Sequence, residues 1–253
     1  MIYDLKAVKF YVRHRDGYPE TEVLDYSRRG FWALGVETST FESTSEIDFI
    51  GDLSPTVGLA GYIEDVHCAL TKMGIQIPPS NDYPEQLQSF LGRDIRKAII
   101  GDVRSSSKTS FIKPVSHKIF SGLVWSNDEF SRRTIVTQAD DVEVWVSDLV
   151  NFVSEYRCFI LNDQIIDCRR YKGDWSKAPD RSIVEAAVEK MRGTSCAYCL
   201  DWGITDDGRT LLIEHNDSYA LGHYGLNCIL VAHMLSARWH EMTSQSITYR
   251  TSL

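Results

Sequence analysis

The sequence has no excess of positive charge: 27 Lys and Arg stand against 35 Asp and Glu, for a formal net charge of -8. A protein that coats nucleic acid gains most of its affinity by neutralising phosphates with a basic surplus. Nucleic acid is therefore not the expected partner, and a small molecule is favoured. The chain also lacks any apolar run near the roughly 18–20 residues needed to cross a bilayer, so no membrane partner is expected. Its opening, Met1-Ile2-Tyr3-Asp4-Leu5, has no charged stretch followed by an apolar core of the kind a secretory signal shows. Internal repeats and low-complexity tracts are absent. Cysteine is sparse, and the six that occur (Cys68, Cys158, Cys168, Cys196, Cys199, Cys228) lie in segments that read as core-forming. Reduced thiols and a cytoplasmic location are the simplest expectation. Cys196 and Cys199 have CxxC spacing, but no second pair with ligand spacing accompanies them. On a strand the two thiols would face opposite sides, which favours packing over zinc or redox chemistry.

What is there reads as a folded protein. The chain has 253 residues, 43% apolar and 25% charged, which suits one large domain or two small ones. Apolar residues recur at helical spacing over 57–73 (Val57, Ala60, Ile63, Val66, Ala69, Leu70, Met73), and Gly74 supplies a stop. Asp82-Tyr83-Pro84-Glu85 predicts a second helix running to about Arg93 or Lys97. Beyond residue 100 the texture turns strand-like, with short β-rich runs at 110–113, 123–125, 134–137, 142–146, 156–161 and 164–168. Leu161-Asn162-Asp163-Gln164 reads as a hairpin turn. Asp180 caps an amphipathic helix ended by Gly193, two strands flank Asp206-Asp207-Gly208, and a last helix follows Gly225. This order predicts an α/β N-terminal part and an α+β architecture in the larger remainder.

Three groups of residues point to chemistry. Asp201 closes one strand of the second hairpin, and Glu214 and Asn216, two apart on the return strand, share a face. Antiparallel pairing brings Asp201 beside them, and three converging oxygen donors suit a hard cation such as Mg2+; merely solvated strand ends are the alternative reading. Lys113, in Phe111-Ile112-Lys113-Pro114, is a lysine inside an apolar strand, where phosphate or a carboxylate would have to meet its charge. Arg157 on one strand and Arg170 across the first hairpin would repel if they converged, unless an anion sat between them. His215, between two proposed ligands, should point away from the metal face. His223, in the glycine loop 217–225, is the histidine kept as a candidate acid or base. Tyr171 and Trp175 near Arg170 read either as pocket lining or as surface aromatics.

Taken in order, Phe111-Ile112-Lys113-Pro114, Val144-Trp145-Val146-Ser147, Glu155-Tyr156-Arg157, Leu200-Asp201 and Ile213-Glu214-His215-Asn216 resemble the signature of the ATP-grasp superfamily. More narrowly, the chain resembles a bacterial and phage clade recognised by two signature arginines and a lysine. The resemblance covers nearly the whole chain and implies a small pre-ATP-grasp α/β domain (1–100) before an ATP-grasp domain of two α+β subdomains (101–253). It further implies ATP and Mg2+ as cofactors. Lys113 would contact the α and β phosphates with Lys118 nearby, Trp145, Val146 and Asp148 would border the adenine, and Glu155 would take the ribose hydroxyls. Asp201, Glu214 and Asn216 would be the metal ligands. Arg157, Arg170 and Asn216 would be the catalytic residues of a carboxylate-amine ligase that forms an amide through an acyl phosphate. Small-molecule or peptide carboxylates and amines would be its substrates, and a homodimer is compatible with this reading. Arg93, Arg96 and Lys97 are candidates for a second phosphate cation. The chain departs from the pattern by having Cys199 and Leu200 where many members carry an arginine, and by a short segment in place of a glycine-rich lid. The alternatives are a phosphotransferase of the same fold acting on a hydroxyl and a nucleotide-binding module without turnover.

Overall fold

Buried and open positions alternate over Lys9–Arg15, and that period of two makes β1 a strand with Phe10 and Val12 turned into a core. In the computed structural model, which describes residues 5–19, 21–116 and 119–244, β1 pairs antiparallel with β2 (Tyr18–Pro19). It pairs in parallel with β3 (Glu37–Phe41) and β4 (Val57–Ala60). Lys118 and the opening Met1 to Asp4, both read above, fall outside the described residues. Helix α1 (Glu22–Ala33) begins where the Thr21 hydroxyl accepts from the Leu24 amide, and α2 (Ile63–Lys72) ends at Gly74, whose φ is +70°.

The helix expected over 57–73 is therefore shorter at its start, because 57–60 is strand β4. Apolar periodicity alone cannot separate a buried strand from a helix turn. Here Gly58 decides: a Cβ at this position would meet the Phe10 ring at 2.4 Å, so only glycine lets β4 lie against β1. The second expected helix is also a correction. Residues Glu85–Phe90 form only a 3-10 turn, Gly92 takes φ +60°, and the chain continues as strand β5 (Ile95–Ile99).

β5 opens a second, antiparallel sheet of order β5-β8-β6-β7. It is built with α3 (Ile100–Ser105), β6 (Ser110–Pro114), β7 (Leu123–Trp125), α4 (Glu129–Ile135) and β8 (Glu143–Ser147). The β-branched run at 134–137, expected as a strand, lies instead at the end of α4. The Asp128 carboxylate accepts from the Ser131 amide and starts that helix, so a cap outweighs local β propensity. The third sheet, also antiparallel, has the order β10-β9-β11-β12. It is built from β9 (Phe152–Leu161), β10 (Gln164–Gly173), β11 (Ala197–Thr205) and β12 (Thr210–Asp217), with α5 (Arg181–Met191) between β10 and β11. Asn162 and Asp163 take φ of 50° and 59°, the geometry of a two-residue hairpin turn. Cys158 and Cys168 stand opposite each other on β9 and β10 and are joined as a cross-strand disulfide, which corrects the expectation of reduced thiols throughout. Cys68, Cys196, Cys199 and Cys228 are free.

The closing helix α6 (Cys228–Ser244) ties the beginning of the chain to its end. Phe10 stacks on Phe31 at 4.1 Å between ring centres, and the Trp239 indole donates to the Ser54 carbonyl at 2.8 Å. One core therefore joins the N-terminal sheet, α6 and the face of the third sheet that carries Phe159, Leu161 and Cys199. The other face of that sheet buries Tyr198, Leu200 and Trp202 under α5. The boundary expected at residue 100 falls between β5 and α3, with β5 already paired into the second sheet. No helix among the described residues is long and apolar enough to cross a membrane.

Helices α1 and α6 touch through backbone at Gly30, where an added Cβ would lie 2.0 Å from the Cys228 carbonyl oxygen. Backbone cannot yield as a side-chain tip can, so Gly30→Ala should cost about 1–3 kcal/mol. Gly51→Ala, which meets nothing within 4 Å, is the control. Urea unfolding midpoints of the two variants check this, and a Gly30→Ala midpoint equal to the control would contradict the close approach.

Candidate active site

The register of the last hairpin assembles the site. Asp201 lies directly opposite Glu214, Cys199 opposite Asn216, and a bulge follows Asp201 before Trp202 pairs with Leu212. Glu214 and Asn216 therefore share the face of Asp201, as their spacing predicts. The Asn216 amide nitrogen reaches Glu214 Oε1 at 3.2 Å and Asp201 Oδ2 at 3.4 Å. His215 pairs with Leu200 and so lies on the other face, where its Nδ1 meets the Asn81 carbonyl at 3.0 Å.

Arg157 is opposite Asp201 on the neighbouring strand β9. Its Nε and one terminal nitrogen each donate to an Asp201 oxygen at 2.7 Å, and the other terminal nitrogen donates to the Gly222 carbonyl at 3.2 Å. Both side chains are buried. Burial pushes the Asp201 carboxyl up, and the two-pronged contact with the guanidinium opposes that. For Arg157, burial disfavours the charge, but the Asp201 contact outweighs it and raises the pKa, so the arginine stays protonated. Tyr224 lies under the guanidinium at 4.9 Å, and Tyr171 stacks on Tyr224 at 4.7 Å.

Lys113, on β6, comes to the same place from the second sheet. Its ammonium is bracketed by Glu214 Oε2 at 2.6 Å and Asp82 Oδ2 at 2.7 Å, with the Tyr83 ring at 4.9 Å. Burial alone would lower its pKa, but Glu214, Tyr83 and Asp82 together raise it. Burial likewise opposes the charge on Glu214, yet Lys113 holds that carboxyl below its ordinary value. Trp145 stands opposite both Lys113 and Lys97 across the sheet, so the three share one face, with the Lys97 ammonium 5.1 Å from the indole. Of the three candidates for a second phosphate cation, Lys97 is the one in that row.

Other expected residues are spread more widely. Val146 pairs with Ile112 and Arg96, on the opposite face of the sheet from Trp145. Asp148 pairs with Lys108 at 2.7 Å, and its amide donates to the Asp94 carbonyl. Glu155 shares the face of Arg157 and pairs with Lys172 at 2.6 Å. The expected meeting of Arg157 and Arg170 does not occur: Arg157 lies opposite Arg169, while Arg170 lies opposite Tyr156 on the other face and donates to the Gly173 carbonyl. The alternation of a strand sends neighbours to opposite sides. His223 stacks on Tyr26 at 3.9 Å, its Nδ1 accepts from the Gly225 amide, and burial pushes its pKa down.

Two residues do something other than the sequence suggests. Asp82, placed like a helix cap, is a partner of Lys113. Arg93, a candidate for phosphate, donates to the carbonyls of Leu91, Leu212 and Ile213 and to Ser147 Oγ, and so ties β12 to the end of β8. Its position after Gly92, next to an apolar stretch, is the available signal, but two of the carbonyls it serves are more than a hundred residues away.

Among the described residues no cluster of three or more His, Cys, Asp or Glu side chains makes a metal cage alone. The donor set at Asp201, Glu214 and Asn216 is two carboxylates and an amide, all oxygen-bearing. That suits Mg2+, which keeps much of its shell for phosphate oxygens and water. The cations Lys113 and Arg157 flank these oxygens, which matches a site that receives both a metal and a polyphosphate.

Comparison with known proteins bears on the fold and the family. A search of the curated proteins found no match. Among solved structures, the chain is similar to the D-alanine–D-alanine ligase of Bacillus anthracis complexed with ATP, with a TM-score of 0.58 and 13% identity, over 98% of this chain and 99% of that one. It is similar to the ATP-grasp ligase PsnB complexed with its precursor peptide PsnA2 and AMPPNP, with a TM-score of 0.54 and 13% identity, over 94% and 99% of the two chains. The macrocyclase MdnC bound with precursor peptide MdnA, from Microcystis aeruginosa MRC, gives 0.54 and 12%, over 90% and 99%. These likenesses give the fold, which is that of ATP-grasp ligases. The model of an ATP-grasp domain family, the second family of the clade named for two arginines and a lysine, matches residues 90–234, more than half of the chain and all the site residues on β6 to β12, and the chain belongs to that family.

Proposed function

We propose that this protein is an ATP- and Mg2+-dependent carboxylate-amine ligase that forms an amide bond through an acyl phosphate. The observation that carries the reading is the convergence of Lys113 from one sheet with Asp201, Glu214, Asn216 and Arg157 from another. The nucleotide would lie between the two sheets, with Lys113 and Lys97 turned to its phosphates and the chain at 145–148 beside the adenine. Glu155 would take the ribose hydroxyls. The expected division into a pre-ATP-grasp domain (1–100) and an ATP-grasp domain (101–253) is part of this proposal.

Asp201, Glu214 and Asn216 would hold Mg2+, which when bound supplies neutralising charge at the phosphate oxygens. The chain's own groups do the remaining work. Lys113 would leave its carboxylate partners for phosphate oxygens, and Arg157 would steady the anionic substrate. An oxygen of the substrate carboxylate attacks the γ-phosphorus and ADP leaves. The amine then attacks the acyl carbon, inorganic phosphate leaves with the acyl oxygen, and the amine proton passes to solvent. A planar guanidinium that offers two parallel donors fits both a carboxylate and an acyl phosphate. Arg170, exposed on the other face, is left out of this scheme.

A carboxylate or amine borne on a small molecule or a peptide fits the reading, since the similar structures of the ATP-grasp ligase PsnB and the macrocyclase MdnC hold precursor peptides. The cytoplasm, where ATP and Mg2+ are supplied, is the proposed location. Intact convergence of all three oxygen donors favours turnover over a binding module. Product analysis separates the alternatives: an amide with ADP and phosphate supports a ligase, whereas a phosphorylated hydroxyl would make the protein a phosphotransferase.

Glu214→Gln and Asn216→Ala should each lower Mg2+-dependent ADP release by at least about a hundredfold while circular dichroism stays unchanged. Turnover at the wild-type rate would sink the metal assignment. Lys113→Ala removes a charged phosphate contact and should raise the dissociation constant for Mg-ATP about ten- to a hundredfold by calorimetry. An unaltered constant would contradict its role at the phosphates.

A further inference from the structure

The largest element of the site not yet assigned is the segment that follows Asn216. It turns through the 3-10 stretch Ser218–Ala220 and reaches Gly222, whose carbonyl holds Arg157. Beside it lies a half-open cavity of about 260 Å3, lined by α1, the β4–α2 turn, 218–221 and α6. Leu24, Ile63, Leu221, Val231 and Met234 line it, and no charged side chain does.

The few hydroxyls in its wall are informative. Thr21 accepts from the Leu24 amide and Ser27 donates to the Val23 carbonyl, so both serve their own helix. Ser218 is fully buried, and its hydroxyl has no hydrogen-bond partner. That hydroxyl has no surface open to the cavity, so the contacts the space offers are chiefly apolar. Ile63, Tyr219 and Ala220 line both this cavity and an adjoining one of about 190 Å3 that Asn216 and Asp82 border. An apolar space and a second one bordered by Asn216 and Asp82 therefore share a wall.

Resting on the ligase reading, we propose that this cavity selects the substrate: it takes the aliphatic or aromatic side chain of an amino acid or peptide-terminal residue whose carboxylate or amine reacts beside Asn216. An apolar cavity of about 150 Å3 is enough to hold benzene, so the space here admits a leucine or phenylalanine side chain. A lysine or glutamate side chain would be stranded there without a counter-charge.

Calorimetric titration tests this with L-leucine, L-phenylalanine, L-lysine and L-glutamate, each free, N-acetylated and as the amide, with and without Mg-AMPPNP. The expected result is that one leucine or phenylalanine form binds at least tenfold tighter than its lysine and glutamate counterparts. Ala220→Leu and Val231→Phe, which enlarge two residues lining the cavity, should weaken that binding at least tenfold while Mg-AMPPNP affinity is kept; retained nucleotide binding shows that the variants fold. Binding of no apolar form, preference for a charged one, or equal binding by both filled variants overturns the proposal. If nucleotide binds and the apolar forms do not, only the cavity assignment fails. If the apolar forms bind and Mg-AMPPNP does not, the cavity stands and the ligase reading falls.

Discussion

The site depends on a balance of buried charge. Asp82, Asp201 and Glu214 come from three different segments, and carboxylates so placed in a low-dielectric interior would repel or protonate without cations among them. Arg157 and Lys113 supply those cations, one for Asp201 and one shared by Glu214 and Asp82. Buried ion pairs seldom stabilise a fold as well as apolar packing would, because desolvation consumes most of the Coulomb gain. Their retention at one spot is better explained by function. A divalent metal and a polyphosphate carry the same two signs as the protein groups, so the carboxylates and cations can exchange partners without leaving any buried charge bare.

Such an exchange requires the two sheets to stay in register while Lys113 changes partners. Arg93 provides the tie, since its guanidinium satisfies the carbonyls of Leu212 and Ile213, immediately before Glu214, and reaches Ser147 beside the proposed adenine contact. One side chain thus links the strand of the proposed metal ligands to the strand of the proposed adenine contact. Two of its acceptors are backbone carbonyls of β12, the edge strand of its sheet, beside the bulge that follows Asp201.

Much of this is legible in the sequence because it is local. The spacing of Glu214 and Asn216 fixes their shared face, Asp180 and Gly193 bracket α5, and Asn162-Asp163 makes its hairpin turn, all from period and turn chemistry. Where sequence reasoning goes astray, a partner or signal outside the run itself decides. Residues 57–60 form a strand because β1 accepts them, the predicted helix beyond Asp82 is cut short at Gly92, and 134–137 is governed by the Asp128 cap. Nearness of the two hairpin strands suggests Arg170 beside Arg157. Register, which sets the face, puts Arg169 there instead.

The N-terminal unit shows why the nucleotide end of the site can be read and the substrate end cannot. The proposed phosphate and metal contacts come from residues within the family match, on strands whose patterns carry the signature. The segment 217–225 is shaped from outside it: Tyr26 of α1 stacks on His223, and His67 of α2 meets the Tyr219 hydroxyl at 3.0 Å. The first sheet and α6 share one core with the catalytic sheet, so the N-terminal residues form a wall of the site and are not a separate appendage. Substitutions in α1 or α2 can therefore alter the space beside Asn216 without touching a phosphate contact. A family built this way can keep its nucleotide chemistry constant while its substrate changes.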